Sequence, residues 1–331
     1  MEKIKLGLLG AGICANTFHY PAITTLKDRF SVTAIAGADP QKNTELAAKY
    51  GISATYSDYM DIFRDPEVEA VVSAYPYFLN QEIVLAARNH RKPLLIEKPI
   101  AKSIALAKEI ADIDDGSIVM GVAENWLYRN CVGRIRELIN SGTIGKVKEY
   151  NIYSLYQMDL DSEYLRGNAW RKTTEGGMIL DRTIHAVAMM RGLFGNVKRA
   201  TGLVNSIRPE LGEVDTMMAL LEYENGIHGT VINSASVADI TFPYGLIIIG
   251  ELGTICCADF HSRIIVKKDG KEDIFTVDNE DQGYKAEFLD FYRAIREGSG
   301  FKSTFRGAYN DLFACMAPLE HPGEWVSFDE E

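Results

Sequence analysis

The stretch that most constrains this chain is Gly10 to Ala15, G-A-G-I-C-A, placed directly behind the β-favouring run Ile4 to Leu9. A strand that runs into G-x-G-x-x-G/A and then into a helix start is a phosphate-cradling turn. Gly10 makes the tight turn, Gly12 lets the backbone approach a pyrophosphate, and the small Ala15 permits close helix–strand packing. The helix N-terminus then faces the phosphates. The pattern behind the turn alternates. Val32 to Ala36 reads as a strand and Asn43 to Tyr50 as a helix stopped at Gly51, and Ala70 to Ala74 is again a strand before a helix over Leu79 to Asn89. Leu94 to Ile96, a helix from the N-cap Ser103 to about Asp112, and a strand over Ile118 to Val122 complete the series. Strands alternating with helices of this length predict a doubly wound parallel sheet.

The apolar run Leu94 to Ile96 ends abruptly in Glu97, Lys98 and Pro99. Packing does not need a charge pair where a buried parallel strand leaves its sheet. In open α/β sheets, however, ligands bind in the crevice outside the carboxyl ends of the strands. The end of the second strand bears on which dinucleotide is held there. An acidic residue at that point normally accepts hydrogen bonds from the adenine ribose. Here Gly37 leaves the strand, followed by Ala38, Asp39 and Pro40, and Asp39 reads as a helix-entry residue. Without a carboxylate at position 37 the 2′-phosphate of NADP is not repelled, and Lys42 can reach it, so the reading leans to NADP within NAD(P).

From Trp126 onward the pattern changes to long β-type segments: Val147 to Met158, Lys198 to Val204, Val214 to Tyr223 and Ile227 to Ala235. Glu224-Asn225-Gly226 and Asp269-Gly270 are hairpin signals. Helices are read over Cys131 to Asn140, Gly177 to Leu193, Ala286 to Arg296 and Thr304 to Pro318. At 331 residues the chain is long enough for two domains. The reading is therefore an α/β chain: residues 1–122 form a Rossmann doubly wound parallel sheet, and residues 123–331 form an α+β domain with an open, mainly antiparallel sheet. Within Gly177 to Leu193, Asp181 and His185 stand four apart, on one helix face. Histidine exchanges a proton most easily near neutral pH, and a carboxylate one turn away orients it.

The formal net charge of −11, with no Lys/Arg block, argues against nucleic acid or an anionic membrane as partner. The five cysteines show no C-x-x-C spacing, which fits a reducing, cytoplasmic setting. The N-terminal apolar stretch is too short and too glycine-broken for a signal peptide or membrane span. No metal site is expected.

Gly10-Ala11-Gly12, Glu97-Lys98-Pro99, E-N-W-L-Y-R-N from Glu124, S-G-T-I-G from Ser141, Trp170-Arg171, Gly176 to His185 and the Gly250-to-Gly253 turn together resemble the glucose–fructose oxidoreductase/inositol dehydrogenase/rhizopine-catabolism (Gfo/Idh/MocA) family over nearly the whole chain. The resemblance implies a nicotinamide-dependent oxidoreductase acting on a hydroxyl or carbonyl of a sugar, polyol or related small molecule. It assigns catalysis to Lys98, Asp181 and His185, with a Lys98–Pro99 peptide that is often cis in the family. The cofactor residues on this reading are Gly10, Gly12, Ile13, Gly37, Lys42, Ala74, Pro76, Asn80, Glu97 and Lys98. Asn125, Tyr128, Tyr153, Trp170 and Arg171 are the candidate substrate contacts. The sequence departs from the family pattern at three points. Asn80 stands where a histidine is frequent, Ala188 where a second aspartate often follows the histidine, and Gly37 replaces the ribose-binding acid. A homodimer or homotetramer through the C-terminal sheet is expected. Two other uses of such a scaffold are an NAD-using glycosidase with transient substrate oxidation and a non-catalytic nucleotide-binding regulator.

Overall fold

The computed structural model describes residues 2–162, 165, 172, 176–238, 245–278 and 280–328. The apolar runs of the first third become short strands, β1 (Ile4–Leu9), β2 (Phe30–Ala36), β4 (Ala70–Ser73), β5 (Leu94–Glu97) and β6 (Met120–Ala123), joined by a three-residue edge strand β3 (Ala54–Tyr56). Between them lie α1 (Tyr20–Thr25), α2 (Pro40–Tyr50), α3 (Met60–Arg64), α4 (Asn80–His90) and α5 (Ile104–Ile113). The chain continues through α6 (Asn130–Asn140), β7 (Val147–Leu155), α7 (Gly177–Phe194), β8 (Val197–Asn205), β9 (Thr216–Tyr223) and β10 (His228–Ser234). It ends with β11 (Gly245–Gly250), β12 (Gly253–Cys257), β13 (Arg263–Lys268), β14 (Lys271–Thr276), α8 (Tyr284–Glu297), α9 (Phe305–Glu320) and β15 (Val326–Ser327).

The chain divides into two compact units, residues 1–101, 105–125 and 283–308 in the first, and 102–104, 126–282 and 309–331 in the second. The first unit holds a six-stranded sheet of order β3-β2-β1-β4-β5-β6, every pairing parallel. Strand order reverses between β1 and β4, the topological switch point of a doubly wound sheet. This is the Rossmann arrangement the alternation predicts. β3 and α3 were not foreseen, because each is too short to show a period. The linear division at residue 122 also needs correction. The segment 283–308 returns to the first unit, since α8 buries Phe288, Phe291 and Tyr292 in its core. Phe288 and Tyr292 meet Phe30 edge-on, at centroid distances of 6.0 and 5.7 Å. A helix so distant in sequence carries no local mark of which core it joins.

The second unit is built on a nine-stranded sheet, β14-β13-β12-β11-β7-β10-β9-β8-β15. It is mainly antiparallel, with β10 parallel to β7. The long connection leaving β7, which includes α7, is what permits a parallel neighbour. α7 packs over β9 and β10 and lies beside α6. The core beneath it includes polar contacts: the buried Tyr150 and Tyr223 hydroxyls hydrogen-bond at 2.7 Å with Phe194 stacked on Tyr150, and Asn233 Nδ2 donates to Thr183 Oγ1 at 2.8 Å. Among the described residues no helix is long and apolar enough to cross a membrane.

One ion pair locks α7 to α9. Arg191 Nε and Nη2 donate to the two Asp311 carboxylate oxygens at 2.7 and 3.0 Å, and both side chains are nearly buried. Removing one partner of such a pair strands the other charge, at a cost of about 3–5 kcal/mol. Asp311→Ala is therefore expected to lower the urea midpoint sharply by circular dichroism, whereas Asp273→Ala on the exposed strand β14 leaves it nearly unchanged.

Candidate active site

At the switch point, Gly10 has φ +98°, a backbone conformation L side chains rarely adopt, and a Cβ there would lie 3.1 Å from the Ala74 carbonyl oxygen. The two strand ends are tied together: Ala74 N donates to Leu9 O at 2.7 Å and Gly10 N to Ala36 O at 2.8 Å. Gly12 behaves differently, since a Cβ there would meet no protein atom within 4 Å. The turn is thus packed on its inner side and open above Gly12, with Ile13 exposed at the helix entry. That open backbone at a helix start fits a dinucleotide pyrophosphate. Pro76, exposed, opens the short turn Tyr77–Leu79 that leads into α4.

The end of β2 explains the absent acid. Asn43 is buried, and its Nδ2 donates to Gly37 O at 2.8 Å and to Tyr56 O at 3.3 Å. A Cβ on Gly37 would fall onto Asn43 Oδ1. Asp39 caps α2, accepting from Gln41 N at 3.1 Å and Lys42 N at 3.2 Å. Lys42 Nζ lies 3.7 Å from the same carboxylate and is largely solvated. Position 37 therefore has no room for an acidic side chain unless Asn43 moves.

The Glu-Lys-Pro turn at the end of β5 is held from several directions. The Lys98–Pro99 peptide is cis. Asn80, wholly buried at the start of α4, donates from Nδ2 to Pro99 O at 3.2 Å and Ile100 O at 3.0 Å, with Glu97 O at 3.5 Å. This amide, expected to hydrogen-bond the cofactor region directly, is committed to the backbone of the turn. Glu97 Oε2 accepts the Lys98 amide at 3.0 Å, and Glu97 Oε1 is paired with His19 Nε2 at 2.6 Å. Glu97 holds the local backbone. His19 was missed in the sequence, where a histidine inside an ordinary helix pattern carries no signal of its partner.

Behind this pair lies a second group the sequence did not flag. Glu287 on α8 is fully buried, and neither carboxylate oxygen accepts a hydrogen bond of ordinary geometry among the described residues. Burial, with the nearby Glu97 and Glu124 carboxyls, pushes its pKa well above the usual carboxylate range, and the Glu124 backbone amide offsets only part of this. Tyr284, one turn earlier, is also pushed up by burial and then by Glu97 and Glu287.

In the second unit, α7 carries Asp181, buried, and His185, half-buried, on one face. The His185 ring stacks on Trp126 with centroids 5.3 Å apart and an interplanar angle of 14°. The buried Arg129 guanidinium lies 3.7 Å from the Trp126 ring and donates to Phe260 O at 3.1 Å. Trp126 is a residue sequence reasoning left out of the candidate set, although it lies in the segment E-N-W-L-Y-R-N. Tyr153 does not join this group. Alternation along β7 puts the buried Tyr150 and Ile152 toward α7 and Tyr153 on the opposite face. Ala188 is buried in α7, while Asn125 and Tyr128 are buried at either end of the turn Asn125–Tyr128. Trp170 and Arg171 lie outside the described residues.

Comparison with known proteins gives the class. Residues 4–120 match the family described as "Oxidoreductase family, NAD-binding Rossmann fold", and residues 132–256 match the GFO/IDH/MocA C-terminal domain. The chain belongs to the Gfo/Idh/MocA oxidoreductase family. It is 29% identical to an uncharacterized protein of Saccharomyces cerevisiae across 100% of both chains. It is 24% identical to a myo-inositol 2-dehydrogenase of Thermotoga maritima over 89% of each. Among solved structures, an oxidoreductase of Thermotoga maritima superposes with a TM-score of 0.89, at 27% identity and covering 98% of each chain.

A neutral isostere at position 287 gives a pH test of the buried carboxyl. Because the folded-state pKa is raised, unfolding releases its proton at pH values between the ordinary carboxylate value and the raised one, so wild-type stability falls as pH climbs through that interval. Glu287→Gln lacks this titration. The variant is expected to gain on the wild type between pH 5 and 8 by up to about 1.4 kcal/mol per pH unit, measured by urea unfolding at several pH values. A stability difference that stays flat across this range would show Glu287 ionised in the folded protein.

Proposed function

We propose that this protein is an NAD(P)-dependent dehydrogenase or reductase that moves a hydride between nicotinamide and a hydroxyl or carbonyl carbon of a sugar, polyol or related small molecule. The observation that carries the reading is the Glu97-Lys98-Pro99 turn, fixed by Asn80 and Glu97 at the carboxyl end of an interior strand in a dinucleotide-binding sheet. The myo-inositol 2-dehydrogenase relative supports the polyol class by analogy. The nicotinamide, when bound, accepts or supplies the hydride. Gly10, Gly12 and Ile13 hold the pyrophosphate, with Ala74 and Pro76 flanking it across the switch point. The Lys98 ammonium stabilises the developing alkoxide, a contribution of about 3 kcal/mol in a water-excluded site. His185 takes the hydroxyl proton on oxidation and returns it on reduction, with Asp181 orienting it and Trp126 fixing its ring plane. Asn125, Tyr128 and Arg171 are the proposed substrate contacts.

The crowding of Gly37 by Asn43 favours NADP, because no carboxylate there opposes a 2′-phosphate and Lys42 stands on the following helix. The test is a spectrophotometric screen with NAD and NADP, separately, against sugars, polyols and dicarbonyls. Stoichiometric change in nicotinamide absorbance is expected, and none with any substrate would overturn the reading. Lys98→Ala should abolish turnover while keeping cofactor affinity, and near-normal turnover would remove Lys98 from the chemistry. His185→Ala should slow the reaction roughly 10²–10⁴-fold and change its pH profile.

A homo-oligomer formed through the second sheet is part of the same proposal. On the face away from α7, Leu203 and Met218 stand directly opposite each other on β8 and β9, Leu220 follows, and all three are exposed. Apolar side chains clustered on one sheet face mark an interaction surface. Met218→Asp should shift the species seen by light scattering from dimer or tetramer to monomer. A wild-type monomer would end the proposal.

A further inference from the structure

We propose that His19 is a positioning residue for Lys98: through Glu97 it ties the helix behind the glycine turn to the Glu-Lys-Pro turn. The inference deepens the function proposed above and rests on it for the catalytic role of Lys98.

Three independent observations converge on His19. It is 2% exposed, and its Nε2 lies 2.6 Å from Glu97 Oε1, while the other oxygen of that carboxylate accepts the Lys98 amide at 3.0 Å. With the imidazole in its Nε2–H form, one carboxylate accepts two donors, and this fixes its rotamer. The residues Ala15–His19 form a π-helical turn. Such a turn shifts the register of the face that follows and is frequent at functional sites. Here the consecutive residues His19 and Tyr20 are both buried, and both reach back to a motif. The Tyr20 hydroxyl donates to Gly10 O at 3.2 Å, on the glycine turn, while His19 meets Glu97. The imidazole is also walled edge-on by Tyr284 and Phe288, with centroids 5.9 and 5.8 Å away.

The carboxyls around His19 divide the work. Glu97 has the donors. Glu287, buried with no hydrogen bond of ordinary geometry, has none, and burial with the neighbouring carboxyls pushes its pKa well above the usual carboxylate range. Ionising both together in this enclosure would set like charges close in a poorly solvated site. The raised pKa of Glu287 therefore opposes adding a further charge beside Glu97, whose other oxygen holds the backbone of Lys98. Glu124 and Asp290 are the other carboxyls near Glu287, and Cys14 adds to the field at Tyr284.

The experiment reads the tether in the protein free of substrate and cofactor. Amide hydrogen exchange at Lys98 is compared by NMR with that at Leu95 and Ile96 in β5, for wild type, His19→Ala and His19→Gln. Loss of the tether in His19→Ala should raise Lys98 exchange about tenfold or more relative to Ile96, since a released hydrogen bond opens locally before the strand does. His19→Gln keeps an N–H donor of similar reach and should restore most of the protection. Lys98 exchange that stays in step with Ile96 in His19→Ala would overturn the proposal. Should that variant not fold, His19→Asn, which is too short to reach Glu97, is compared with His19→Gln by the same criterion. Turnover of a substrate found in the screen then separates the two claims. A fall in kcat with cofactor KM unchanged, rescued by Gln, is expected. Selective Lys98 exchange without any loss of turnover would show that Lys98 works without the tether and overturn the positioning role, while Lys98→Ala tests the chemistry separately.

Discussion

The first unit depends on one carboxylate. Glu97 stands at the last position of β5 and uses both oxygens, one on the Lys98 amide and one on His19. Shared between a strand-end backbone and a buried imidazole in its Nε2–H form, the carboxylate has a donor for each oxygen, which offsets much of the cost of burying it. It also removes freedom from the turn that Asn80 holds on the other side. A lysine on a long, flexible stem needs such a base, since its side chain is fixed only as well as the backbone beneath it.

The same unit relies on two buried asparagines. Asn80 supplies donors to two or three carbonyls at once, and Asn43 fills the space beyond Gly37 while bonding the Gly37 and Tyr56 carbonyls. An amide satisfies backbone groups in a dry interior without the desolvation cost of a charge. Asn80, which departs from the family pattern, therefore has structural work of its own. The loss of a titrating group at position 80 leaves the turn well supported.

In the second unit the acid–base candidate rests on aromatic and cationic packing. His185 lies flat on Trp126, and Arg129 lies against the same indole while its guanidinium is anchored to the Phe260 carbonyl. The stack on an indole that is itself held restricts the His185 ring plane, which a proton-transfer group requires.

The parallel sheet, the glycine turn, the strand-end Glu-Lys-Pro and the i,i+4 Asp181/His185 pair were legible in the sequence, because each is a local pattern: a period, a turn chemistry or a helical spacing. The departure at Gly37 was legible too, though its cause, Asn43, was not. The assignment of α8 to the first unit, the parallel β7–β10 pair and the placement of Tyr153 away from α7 were decided by tertiary structure. So were the His19–Glu97 bond, the buried Glu287 and the Trp126–His185 stack. All of these join residues far apart in the chain, 78 positions in the case of His19 and Glu97. Sequence patterns report which face a residue takes in its own element. Which distant side chain meets it there is set by the packing of whole elements, and that meeting gives Lys98 its fixed base.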